Sequence, residues 1–196
     1  MLFGYVHNIA LVFSNQGKYD EAMQWYERAL AGKEKALGED HPSIYYIVNN
    51  IALVFDNQGK YDEAMQWYER ALAGKEKALG KDHPSTLDTV HNIASVFSKQ
   101  GKYDEAMQWY ERALAGKEKA LGEDHPSIFS IVNNIAGVFF NQSKYDEAMQ
   151  WYKRALAGRE KALGKSHPST LATAECLSTL INNLNLSKYF RADESV

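Results

Sequence analysis

Apolar and polar positions along this chain recur with the spacing of helices. Between Tyr61 and Leu79, the residues Tyr61, Ala64, Met65, Tyr68, Ala71, Leu72 and Leu79 follow one another at steps of three, four or seven, which lays them along one stripe. Asp62, Glu63, Gln66, Glu69 and Arg70 fall largely off it. Upstream, Val48, Ile51, Ala52, Val54 and Phe55 predict a second, shorter helix, and Asn57-Gln58-Gly59-Lys60 predicts the break between the two. Gly80 follows the last apolar residue, as a left-handed cap would, while Lys75 and Lys77 suit the negative end of the helix. The next helix is expected to open at Asp82-His83-Pro84-Ser85, with Asp or Ser as the cap and Pro in the first turn.

This unit is repeated. Tryptophan occurs at Trp25, Trp67, Trp109 and Trp151, a step of 42 residues, and the His-Pro pairs His41-Pro42, His83-Pro84, His125-Pro126 and His167-Pro168 keep the same step. The text from Gly17 to Leu37 recurs unchanged from Gly59 to Leu79 and from Gly101 to Leu121. Four copies, about 1–42, 43–84, 85–126 and 127–168, make up most of a single domain over 1–186. Leu171, Ala174, Leu177, Ile181 and Leu184 predict a further amphipathic helix over 169–186 that caps the last core, and 187–196 is expected to be a tail. The first copy lacks the Asp-His-Pro-Ser lead-in, as if cut from a longer array. One helix pair cannot bury its stripe alone, but stacked pairs can, so the expected fold is an all-α solenoid.

Gly59, Tyr61, Ala64, Tyr68 and Ala71, with Ala52 and Phe55, match the small and aromatic positions of the tetratricopeptide repeat. The longer unit, with its Ala-Leu-Gly-Lys-Asp-His-Pro ending, resembles the 42-residue repeats of kinesin light chains and nephrocystin-like proteins. The resemblance covers about 1–168 and implies a right-handed α-solenoid of antiparallel helix pairs whose first helices line a concave groove. Members of the family bind extended or helical peptides of other proteins there. Nearly identical arrays also resemble those attached to nucleotide-binding signalling proteins, especially in fungi.

Duplication alone makes copies alike, and an 84-residue super-period, pairing His7-Asn8 with His91-Asn92 and Asn49-Asn50 with Asn133-Asn134, points to recent copying. The informative positions are those that differ. Between the second and third copies the mismatches are 44/86, 45/87, 46/88, 47/89, 49/91, 53/95, 56/98, 57/99 and 81/123, so all but the last fall in the first helix. Positions 46, 49, 53, 56 and 57 share one helical face, which the family alignment assigns to the groove. Their columns read Gly4/Tyr46/Asp88/Ser130, His7/Asn49/His91/Asn133, Leu11/Leu53/Ser95/Gly137, Ser14/Asp56/Ser98/Phe140 and Asn15/Asn57/Lys99/Asn141. If these positions merely drifted, exposed polar positions of the second helix should drift as much; Gln66, Glu69, Arg70, Lys75, Glu76 and Lys77 are identical in the first three copies. The variable face is therefore the expected binding site.

One column of the first helix is constant: Asn8, Asn50, Asn92 and Asn134, with Cys176 in the last helix. An amide with two donor hydrogens and an acceptor can hold a peptide main chain, the role the resemblance implies, or it can bond the protein's own scaffold. Asp56 and Asp88 stand against Lys99 in the variable columns. That balance departs from sites that gather Lys and Arg around a carboxylate or an acidic peptide. It suits a neutral or mildly basic peptide with apolar anchors on Leu11, Tyr46, Leu53 or Phe140.

Composition removes other functions. With 22 Lys+Arg against 25 Asp+Glu there is no basic surplus for nucleic acid. No apolar run approaches the roughly 18 residues a membrane span needs. A single Cys176 excludes an internal disulfide framework and suits a reducing, cytoplasmic setting. The His of the four His-Pro pairs lie a repeat apart, too far to share a metal bound at about 2 Å. Asp20-Glu21 and its copies open helices, where negative charge offsets the dipole. Each Trp is expected between helices, and Gly32, Gly74, Gly116 and Gly158 mark close helix approach. No phosphate loop, dinucleotide fingerprint or nucleophile elbow occurs, so neither a cofactor nor catalysis is expected. The expected function is a protein-interaction scaffold, the recognition part of a larger protein. The alternatives are an architectural spacer, self-association through end faces, and an enzyme's regulatory arm.

Overall fold

The computed structural model describes the backbone of residues 2–193 and the side chains of residues 6–184. Every regular element among the described residues is a helix. The first unit, Met1–Lys102, holds α1 (Leu2–Asn15), α2 (Tyr19–Leu37), α3 (Ile44–Asn57), α4 (Tyr61–Leu79) and α5 (Pro84–Lys99). The second, Tyr103–Val196, holds α6 (Tyr103–Leu121), α7 (Ile128–Asn141), α8 (Tyr145–Leu163) and α9 (Pro168–Asp193). α1 pairs with α2, α3 with α4 and α7 with α8; each pair then packs on the helix that follows.

The predicted stripes are the cores. In the first unit Tyr26, Ala29, Leu30, Ile47, Val48, Ile51, Val54 and Ala71 form one buried cluster, with Trp25, Phe55 and Trp67 against it. In the second, Ala136, Ala148, Tyr152 and Leu180 form another, with Phe140, Tyr145 and Trp151 against it. The tryptophans are thus half-buried, and an arginine lies over each ring, as Arg70 does over Trp67 at 5.5 Å.

Two glycine expectations are explained by geometry. A Cβ on Gly74 would lie 2.0 Å from the Tyr45 ring, and one on Gly158 would lie equally close to Phe129. The second helix of each of these pairs can approach the first only where it lacks a side chain. In the turns between helices, Gly17, Gly59 and Gly101 hold φ between 73° and 76°; the fourth copy places Ser143 there, at φ 60°. Gly80 has the expected positive φ, 93°, but its ψ of 159° is extended, outside the left-handed helical region.

Three local expectations are corrected. The cap of α5 is neither Asp nor Ser: the His83 Nδ1 accepts the Ser85 N–H at 3.1 Å. His41, His125 and His167 accept the N–H two residues on in the same way. The helix expected over 169–186 continues to Asp193, because no glycine or proline stops it, so most of the expected tail is helical; 194–196 lie outside the described residues. The buried side of α9 is also rotated from the predicted stripe. Thr170, Thr173 and Leu180 are buried, whereas Leu171 and Ile181 are 56% and 40% exposed. In the complete pairs the matching residues, such as Phe129 and Phe139, pack on a second helix, and no such helix follows α9 among the described residues.

Candidate interaction face

In the first unit the candidate residues lie on α1, α3 and α5, and the seams between copies sort them. Asn8, Leu11, Asn15, Tyr46, Asn57, Asp88 and Lys99 are exposed; Leu11 and Tyr46 keep 39% and 49% of their surface in the open. His7, Asn49, Asn50, Leu53, His91, Asn92 and Ser95 are half-buried. Asp56 is buried, at 5%. Both its carboxylate oxygens accept from Lys99 Nζ at 2.8 Å across the seam between the second and third copies. Two of the three charges assigned to the ligand therefore neutralise each other within the scaffold.

Asn49 is also turned to the next copy. Lys75 donates to the Thr89 hydroxyl at 2.9 Å and to the Ser85 carbonyl at 3.0 Å, and the Thr89 hydroxyl donates to Asn49 Oδ1 at 2.9 Å. Burial pushes the Lys75 ammonium down to about 8, opposed by Asp88, and the Tyr46 ring covers it at 5.0 Å. The second unit repeats the clamp with Arg159, Thr173 and Asn133. Asn50, from the constant column, donates to His7 Nε2 at 3.4 Å and hydrogen-bonds the Tyr26 hydroxyl. Burial, reinforced by Lys33, lowers the pKa of His7 and so favours the neutral ring that can accept. Hence the amide column serves the scaffold at this seam.

The remaining candidates lie on α7. Asn133 and Asn134 are half-buried and Asn141 is exposed. Phe140 packs against Tyr145, ring centroids 5.8 Å apart, and joins the core, so it offers less open surface than Tyr46.

The constancy of the second helices also has a structural cause. Arg70 pairs with Glu34 at 2.7 Å and Lys77 with Asp40 at 2.9 Å, each one copy back, and Arg154 with Glu118 and Lys161 with Asp124 repeat the pattern. Arg70, Lys75 and Lys77 are held by neighbours rather than left to drift, so their identity does not measure free variation. Sequence reasoning missed these pairs, although their offsets of 36 and 37 residues, one repeat less a helical turn or so, were present in the text. Three of the first-helix differences are likewise internal: Ile44, Tyr45 and Ile47 are buried, as are Thr86, Leu87 and Thr89 opposite them in the alignment.

No helix among the described residues is long and apolar enough to cross a membrane. No curated protein matches the chain in sequence. A solved kinesin light chain-like protein of Podospora anserina, with nearly identical TPR-like repeats, superposes with TM-score 0.73 at 26% identity, over 96% of this chain and 89% of that one. BtubC (BKLC) from P. vanneervenii superposes with TM-score 0.72 at 22% identity, over 97% of this chain and 80% of that one, and shares the fold. Tetratricopeptide-repeat models match residues 4–77, 43–119 and 130–169. With helix pairs stacked consecutively in each unit and the family's repeat matched over most of its length, the chain belongs to the tetratricopeptide-repeat family, in the 42-residue form seen in kinesin light chain-like proteins.

Proposed function

We propose that this protein is a non-catalytic interaction module that holds an extended segment of another protein against the face formed by α1, α3 and α5. Tetratricopeptide repeats are generally protein–protein interaction modules. The observation that carries the reading is the open apolar surface of Leu11 and Tyr46, beside Asn8, Asn15 and Asn57. Since Lys99 neutralises Asp56, the preferred segment is neutral rather than basic, with apolar side chains over Tyr46, Leu11 and Leu53.

The test is selection of a phage-displayed library of random linear peptides on the whole chain, with the best-enriched peptide resynthesised and titrated by fluorescence anisotropy. Leu11→Ala, Tyr46→Ala and Leu53→Ala should each weaken it, by about three- to tenfold for the loss of apolar contact. A peptide insensitive to all three but sensitive to Glu69→Ala or Gln66→Ala would move the site to the second helices and sink the proposal.

One observation favours a second reading, self-association through an end face. Ile9 and Val12 are 38% and 54% exposed, whereas Ile51, Ile93, Val54 and Val96 in the same columns are fully buried. With Asn8 and Phe13 they line an apolar hollow of about 360 Å³. Sedimentation of the wild type against Val12→Glu separates the two: a concentration-dependent rise in mass that the substitution removes would support this reading.

A further inference from the structure

Within the first unit, the asparagine column is treated differently at its two seams. Between the first and second copies, the Asn50 amide is closed into the protein by His7 Nε2 and the Tyr26 hydroxyl. Between the second and third, the place of His7 is taken by Asn49, whose Oδ1 accepts from Thr89. The place of Tyr26 is taken by Tyr68, which is fully buried and whose hydroxyl has no hydrogen-bond partner. Neither kind of group that closes Asn50 therefore closes Asn92, which sits half-buried on α5. A buried hydroxyl without a partner is costly, and a native seam that tolerates it calls for a physical reason.

We propose that the residue in the column of His7 and Asn49 decides whether the following asparagine can take the main chain of a bound segment. His supplies an internal acceptor and closes the seam; Asn leaves it open. At the open seam, Asn92 turns its Oδ1 to accept from the Tyr68 hydroxyl and donates from Nδ2 to a main-chain carbonyl oxygen of the ligand. That carbonyl takes the part His7 Nε2 plays one copy earlier. With Nδ2 held by the ligand, the Asn92 amide is fixed in the orientation that gives the Tyr68 hydroxyl an acceptor. The inference rests on the peptide-binding reading above and adds to it which asparagine of the column is free to hold the ligand and the neighbouring column that gates it.

The library-selected peptide is again the probe. Asn92→Ala should weaken it about tenfold, the range for one hydrogen bond together with a group left unsatisfied. Asn49→His, which installs the closing imidazole already present in the first copy, should weaken it by a similar factor, about tenfold, with the fold retained and any fall in melting temperature set by the lost Thr89 hydrogen bond. Asn50→Ala and His7→Ala should leave affinity within about twofold, because that seam is closed in the free protein. Should Asn49→His fail to fold, an amide-to-ester scan of the probe decides: one ester must weaken binding to the wild type and have no effect on Asn92→Ala. If Tyr46→Ala and Leu53→Ala weaken the probe but Asn92→Ala and Asn49→His do not, the gating column is wrong and the peptide face stands. If no peptide enriches on the wild type above a Tyr46→Ala/Leu53→Ala control, both are wrong.

Discussion

Lys99 places its ammonium 2.8 Å from each carboxylate oxygen of Asp56, joining α5 to α3 across the seam between the second and third copies. The Asp56 side chain is 4% exposed and that of Lys99 40%, so the two ends are not equivalent. Asp56 is the one acid in its column and Lys99 the one base in its own, which fits a pair that arose together in the scaffold.

Removing the exposed end should therefore cost more than removing the buried one. Lys99→Ala leaves a carboxylate buried without its counter-ion and should destabilise by about 2 kcal/mol, the buried-pair penalty reduced for the half-open side. Asp56→Ala leaves a lysine free to turn to water and should cost less. Urea denaturation of both single variants and the double checks this; equal losses would contradict the asymmetry.

Lys75 and Arg159 occupy the same place in two clamps, and only the lysine can lose its proton near neutrality. Its folded pKa, about 8, lies below the 10.5 of a free lysine. The unfolded chain thus binds more protons between those values, and stability should rise with pH from about 8 to about 10.5 as the cost of a buried charge is relieved. Lys75→Arg should flatten that rise. Denaturant midpoints across this pH range provide the measurement.

Ser143 carries a left-handed backbone that glycine holds in the other three turns. Ser143→Gly should raise stability by about 1 kcal/mol, the steric relief exceeding the added freedom of the unfolded chain. A fall in melting temperature would show that the hydroxyl has a compensating role.

Gly74→Ala should be severely destabilising, by about 3 kcal/mol, because its methyl enters the Tyr45 ring. Tyr45→Leu, borrowing the residue of the third copy in that column, should recover most of the loss in a double variant. Absence of rescue would mean that backbone rather than ring sets the spacing.

His7 adds an acid limb. Its folded pKa is lowered by burial, so the unfolded chain binds the extra proton first. Stability should fall as pH drops below about 6.5, and His7→Gln should remove this limb of the thermal-melt profile.

Helices, repeat length and family were legible in the text because each depends on local spacing: apolar steps of three and four, a glycine at three of the four turns within pairs, and a tryptophan every 42 residues. That positions 46, 49, 53 and 56 share a side was legible too, since residues at helical intervals must do so. What the text could not show was which of those residues meet the neighbouring copy. Asp56 and Lys99, Asn49 and Thr89, Arg70 and Glu34 are about one repeat apart, and only the stacking of helix pairs brings their atoms within hydrogen-bond range. The same stacking turned α9, leaving Leu171 open where a second helix would have covered it. Periodicity is a property of one helix and can be read from one strand of text; a seam is a property of two, and its partners are chosen by distance and burial that exist only once the chain has folded.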